Sequence, residues 1–131
     1  MSTPVSPRSA EQALTFKNRG NAAFKEGKFR EAAVAFSAAI GKDPANHVLY
    51  SNRSAAYLSL GSTAEAVEDA NKCVSLRPDW GKGYVRLGSA HFVAKNYEEA
   101  IKAYAGGMAV EPANGSLSKG LAQAQAAFAA A

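Results

Sequence analysis

Three prolines set 34 residues apart, Pro44, Pro78 and Pro112, constrain this chain more than any other feature. Ala32, Ala66 and Ala100 keep the same interval, and a period of that length belongs to stacked pairs of helices. Superposing residues 13–46, 47–80 and 81–114 places Gly20, Ser54 and Gly88 at one small position. It also aligns Phe36 with Ala70 and Tyr104, and Ala39 with Cys73 and Gly107. Small residues at fixed places let neighbouring helices approach, and large ones fill the space between them.

Each segment breaks in its middle, at Glu26-Gly27-Lys28, Leu60-Gly61-Ser62 and Ala94-Lys95-Asn96. Each closes on a proline, whose predecessor is pushed out of helical geometry. This pattern predicts helices near 8–25, 29–41, 47–59, 63–76, 80–93 and 97–109. A seventh, 116–130, follows Asn114-Gly115, with Leu117, Leu121, Ala124 and Phe128 spaced to face the stack as a cap. Residues 1–9 are expected to form a flexible arm ahead of a domain spanning 10–131. Thr3-Pro4 and Ser6-Pro7 in that arm suit proline-directed kinases, although short Ser/Pro arms are common at termini.

Composition agrees with one soluble all-α domain, since much of the 47% hydrophobic content is alanine, which favours helix. The net charge of +4 suits an anionic partner without saying which. A single cysteine, Cys73, excludes an internal disulfide and fits a reducing, cytoplasmic compartment. No apolar run is long enough to span a bilayer, and the first ten residues lack the apolar core of a secretory signal.

The first helix of each segment has one face whose residues recur at spacings of three and four. Toward the helix starts this face carries Lys17, Asn21, Asn52, Lys82 and Arg86, all hydrogen-bond donors. One or two turns on it carries Phe24, Leu58 and Phe92, with Ala55 and Ser89 between. One end of the resulting groove is therefore cationic and the other apolar. Donors converging from three helices suit carboxylates: lysine supplies charge, arginine forks onto two oxygens, and asparagine adds directed bonds.

The closing prolines, the recurring alanine and the small residue at Gly20, Ser54 and Gly88 resemble the tetratricopeptide repeat, over roughly residues 10–131. The resemblance implies a right-handed superhelix of three helix-turn-helix repeats plus a C-terminal capping helix, with the first helices lining a concave groove. Lys17, Asn21, Asn52, Lys82 and Arg86 match the carboxylate clamp of chaperone-binding members of that family. The strings Lys17-Asn18-Arg19-Gly20-Asn21, Tyr50-Ser51-Asn52-Arg53 and Asp79-Trp80-Gly81-Lys82-Gly83-Tyr84 resemble the N-terminal domains of stress-inducible co-chaperones. The implied ligand is the extreme C-terminus of a cytosolic heat-shock chaperone, ending in Glu-Glu-Val-Asp, bound with Phe24, Ala55, Leu58, Ser89 and Phe92 as the apolar groove. That N-terminal resemblance, together with the start at Met1, favours the seventy-kilodalton chaperone over the ninety-kilodalton one. Selectivity between them is expected around Phe24, Leu58 and Arg53.

Other conspicuous residues make poorer sites. Cys73 shares the repeat position of Ala39 and Gly107, as a buried structural thiol would. His47 and His91 have no Cys, Asp or second His at ligand spacing, so no metal or other cofactor is expected. Trp80 and Tyr84, beside a turn, suit packing better than base stacking. Ser51 and Ser89 lack a general base, and no glycine-rich phosphate loop follows a strand, so no catalytic constellation emerges. An enzyme such as a phosphatase or prolyl isomerase fused to the domain remains an alternative, as does a scaffold for another acidic peptide. Nucleic acid is disfavoured because the groove cations gather at one end instead of tracking a backbone, and no membrane partner is expected.

Overall fold

The computed structural model describes residues 4–131. Seven helices follow one another: α1 Pro7–Lys25, α2 Phe29–Lys42, α3 His47–Ser59, α4 Thr63–Leu76, α5 Gly81–Val93, α6 Tyr97–Val110 and α7 Gly115–Ala130. The expected boundaries hold to within one residue. Pro7 to Ser9, counted in the expected arm, form the first turn of α1. Ser6 explains this: its hydroxyl accepts from the Ser9 amide at 3.1 Å, and Pro7 follows at a position where a missing N–H costs nothing. Of the two Ser/Thr-Pro pairs, Ser6-Pro7 is thus a helix cap, and Thr3 lies outside the described residues.

Each helix packs on the next, and the first helices also meet one another: α1 touches α3, α3 touches α5, and α5 touches α7. No such contact joins α2, α4 and α6 among themselves. The first helices therefore sit closer together than the second ones, and the stack curves with α1, α3 and α5 on its inner side.

Volume complementarity within each pair sets this spacing. A Cβ added at Gly20 would come within 2.6 Å of the Phe36 ring, and one at Gly88 within 2.5 Å of Tyr104. The middle repeat reaches the same closeness differently, with Ser54 facing the small Ala70 position and donating to the Ala66 carbonyl at 2.8 Å. Mid-repeat turns use left-handed backbone at one repeated position: Gly27 has φ 76°, Gly61 78° and Lys95 64°. Two glycines meet that requirement freely, whereas the lysine carries a steric cost.

Tyrosines fasten α3 and α5 to the turns before them. Tyr50 donates to the Pro44 carbonyl and its repeat-mate Tyr84 to that of Pro78, both at 2.7 Å. Asn46 caps α3 and Asn114 caps α7 through their side-chain oxygens. At the equivalent position before α5 stands Trp80, which cannot accept, and its ring instead packs edge-on against His47 at 4.7 Å. The α5 N-terminus is served by Glu111, whose carboxylate accepts from the Gly81 amide and from Asn114. Those bonds hold the Glu111 carboxyl below the ordinary carboxylate range.

The cap α7 buries Leu117, Gly120 and Ala124 against α5 and α6, with Leu121 partly covered. Phe128, expected on the same face, is 51% exposed. Full burial along α7 stops at Ala124, so the last turn carries Phe128 past the packed surface.

Candidate carboxylate-binding site

The inner face of the stack brings α1, α3 and α5 side by side. Asn21 of α1, Asn52 of α3 and Arg86 of α5 share one cavity of about 190 Å³ with Phe24, Phe36 and Ala55. Asn52 and Arg86 occupy the same position of successive repeats, which is why both point into it. The Asn52 amide donates to the Asn21 side-chain oxygen at 3.2 Å. This bond leaves the Asn21 NH₂ free to donate and the Asn52 oxygen free to accept. The pair thus offers an incoming carboxylate and its adjacent backbone one group of each kind.

Arg86 is the electrostatic centre. It is half-buried, and burial pulls its pKa downward, although an arginine stays charged at neutral pH. Its Nε donates to Ser51 Oγ at 3.2 Å, and Ser51 is fully buried. The ion pairs among the described residues are Lys28 with Glu26, Arg53 with Asp69 and Lys102 with Glu99. Arg86 is in none of them. A desolvated cation without an anion is costly, and the terminal guanidinium nitrogens left over face a cavity lined with further donors.

Lys17 stands four residues before Asn21, and Lys82 four before Arg86, so each lies one turn along the same helix face. Lys17 is half-buried and Lys82 exposed; neither lines the cavity, and neither is in an ion pair among the described residues. A second recess of about 580 Å³, formed by Asn18, Asn21, Ala22, Phe24 and Lys25, adjoins the cavity through its shared Asn21 and Phe24. Phe24 packs edge-on against Phe29 at 5.1 Å, and Phe92 likewise against Tyr97 at 5.4 Å. Leu58 and Phe92 are partly exposed outside the cavity, and the Ser89 hydroxyl shares a hydrogen bond of 3.1 Å with Tyr104.

Arg53, expected near the groove, belongs to the opposite side. Its Nε and Nη2 bind the two Asp69 oxygens at 2.8 Å each, and Nη1 donates to Ser37 at 3.0 Å. Tyr50 and Tyr57 flank the guanidinium at 5.8 and 5.5 Å. One residue along a helix is a rotation of about 100°, enough to turn Arg53 to α2 and α4 while Asn52 faces the groove.

Two contributors escaped the sequence reading. Phe36 lines the cavity from α2, where it counted only as a spacer, and Ser51, on the same helix face as Asn52, was weighed as a nucleophile without a base and not as a partner of Arg86. Ser51 holds Arg86 instead, and the signal lay in the repeat: it occupies the position of Lys17 one segment later. Cys73 is fully buried, and burial raises its pKa to about 11, so it is a thiol at neutral pH. Burial, with Arg77 second, lowers the His47 pKa. The described residues contain no group of three or more His, Cys, Asp or Glu able to hold a metal, and no helix long and apolar enough to cross a membrane.

A sequence profile of the tetratricopeptide repeat matches residues 48–79. The Hsp70-Hsp90 organizing protein of Triticum aestivum is 54% identical over 114 residues, which are 87% of this chain and 20% of that protein. The chain thus spans about a fifth of this relative's length. The first TPR of Spaghetti (RPAP3), solved bound to the HSP90 peptide SRMEEVD, superposes with a TM-score of 0.88 at 35% identity, covering 98% of this chain and 99% of that one. The second TPR domain of human RPAP3, in complex with the HSP70 peptide SGPTIEEVD, superposes with a TM-score of 0.85 at 31% identity, covering 89% and 98%.

Proposed function

The chain belongs to the tetratricopeptide-repeat family, and from that premise we propose that it is the peptide-binding module of a cytoplasmic co-chaperone. Its ligand is the free C-terminus of a heat-shock chaperone ending in Glu-Glu-Val-Asp, the ending shared by the peptides that the two solved neighbours hold. The observation that carries this reading is Arg86: half-buried, without an anion among the described residues, and facing a cavity with Asn21 and Asn52.

The C-terminal aspartate brings two carboxylates, its terminal one and its side chain, to a site whose cations have no carboxylate partner among the described residues. One enters the cavity, taking the Asn21 amide and the free guanidinium nitrogens; Lys17 and Lys82, each a turn away, attract both. Ligand residues upstream lie toward Phe24 and Leu58. Both neighbour peptides share their last four residues, so discrimination between the seventy- and ninety-kilodalton chaperones falls on that upstream part. The module binds and does no chemistry.

Hydrogen bonds to charged groups contribute about 1.5 to 3 kcal/mol each. Four or five of them, less the cost of ordering a flexible tail, leave about 7 to 8 kcal/mol, a low-micromolar dissociation constant that rises with salt. Titrating the isotope-labelled chain with such a peptide should shift the side-chain amides of Asn21 and Asn52 and the Arg86 Nε resonance first. Saturable binding that leaves those three signals unmoved would place the ligand elsewhere.

A further inference from the structure

The open end of the stack carries an incomplete copy of the Arg53 site. Arg19 and Arg53 occupy one position of successive repeats, and so do Ala35 and Asp69. In the second repeat Asp69 grips the guanidinium, two tyrosines flank it, and Ser37 of the preceding second helix closes the site. The first repeat keeps the arginine and lacks its partners. Ala35 stands for Asp69 and Ala23 for Tyr57, and among the described residues no helix covers this side of α1 as α2 covers α3. Arg19 retains one contact of the set, lying over the Phe16 ring at 5.3 Å.

What remains is a recess of about 380 Å³ between α1 and α2, lined by Phe16, Arg19, Ala23, Val34, Ala35 and Ala38, with Arg30 and Glu31 also bordering it. Val34 is 67% exposed. Neither Arg19 nor Arg30 takes part in an ion pair among the described residues, and Glu31 pairs with neither. An apolar floor of this size beside two unpaired cations fits an apolar surface that also brings an anion.

We propose that this recess docks a helix of a partner protein that carries one acidic residue on an otherwise apolar face, stacked on α1 as α2 is stacked on α3. The acidic side chain does for Arg19 what Asp69 does for Arg53, and the apolar residues cover Val34 and Ala23. The site is separate from the groove, which uses the Asn21 and Phe24 face of α1.

The probe is a synthetic helix with the sequence of residues 28–43, stapled on its outward side and carrying Ser37→Glu, titrated into the labelled chain and followed by NMR. Expected are saturable shifts at Phe16, Ala23, Val34 and Ala35, and at least fivefold weaker binding of the same helix with Ser37→Gln. Arg19→Gln should erase that preference, and so should Ala35→Asp, which supplies the carboxylate from within. Both variants should keep binding of a Glu-Glu-Val-Asp peptide within twofold of the parent chain, which separates this site from the groove. Equal binding of the two helices overturns the proposal, as do shifts confined to the groove. Shifts that appear on concentrating the chain alone also overturn it, because a second copy would then be the occupant.

Discussion

Arg53 and Arg86 are half-buried arginines on neighbouring first helices of one stack, and they have opposite fates. Arg53 has every need met from inside: two carboxylate oxygens, a serine hydroxyl and two aromatic faces. Arg86 has one serine hydroxyl, no carboxylate among the described residues, and a cavity in front of it. The first arginine ties three helices together. The second keeps an electrostatic demand that the fold leaves unmet, and it is this difference, more than burial or residue type, that marks Arg86 as the cation proposed to bind.

Loss of either partner set should affect the two arginines in opposite ways. Asp69→Ala leaves Arg53 without its anion in a site where Asp69 is only 4% exposed, and should destabilise the fold by about 3 to 5 kcal/mol, read as a fall in the urea midpoint. Peptide affinity of the remaining folded protein should hardly move. Arg86→Ala should invert the pattern: affinity falls by about 2 kcal/mol or more, at least thirtyfold, while the midpoint stays or rises because an unpaired buried charge is gone. If Arg86→Ala unfolds the chain, the two arginines do the same job and the contrast fails.

Smaller effects are expected from groups around Arg86 and in the turns. Ser51→Ala removes the hydroxyl that holds Arg86 Nε, and should weaken peptide binding by about 1 kcal/mol, roughly fivefold, through a less ordered guanidinium. Restoring affinity with Ser51→Thr would assign the effect to the hydroxyl and not to its volume. Smallest is Lys95→Gly, in the turn between α5 and α6, which relieves the left-handed strain at φ 64° and should raise stability by about 0.5 to 1 kcal/mol with no change in binding.

The helices were legible because the 34-residue interval repeats turn, small and proline positions together, so that errors in one segment are corrected by the other two. The inner face was legible for the same reason: Asn52 and Arg86 fall in register, and helical phase puts Lys17, Asn21 and Lys82 on the matching stripe. What periodicity does not carry is which side chain answers which. Arg53 sits beside Asn52 in sequence, and its turn toward Asp69 depends on how α3 and α4 lie against each other, 16 residues apart. Ser51 was hidden because its partner is a residue of another repeat. Phe128 kept the right phase, but phase says nothing about where the surface beneath a helix ends.

The proposed role of Arg86 and its neighbours depends on a terminal carboxylate. Calorimetric titration of the chain with a peptide ending in Glu-Glu-Val-Asp, beside the same peptide amidated at its C-terminus, isolates that one group. Low-micromolar binding of the free acid with at least a thirtyfold loss on amidation is the expected result; equal affinities would contradict the clamp outright.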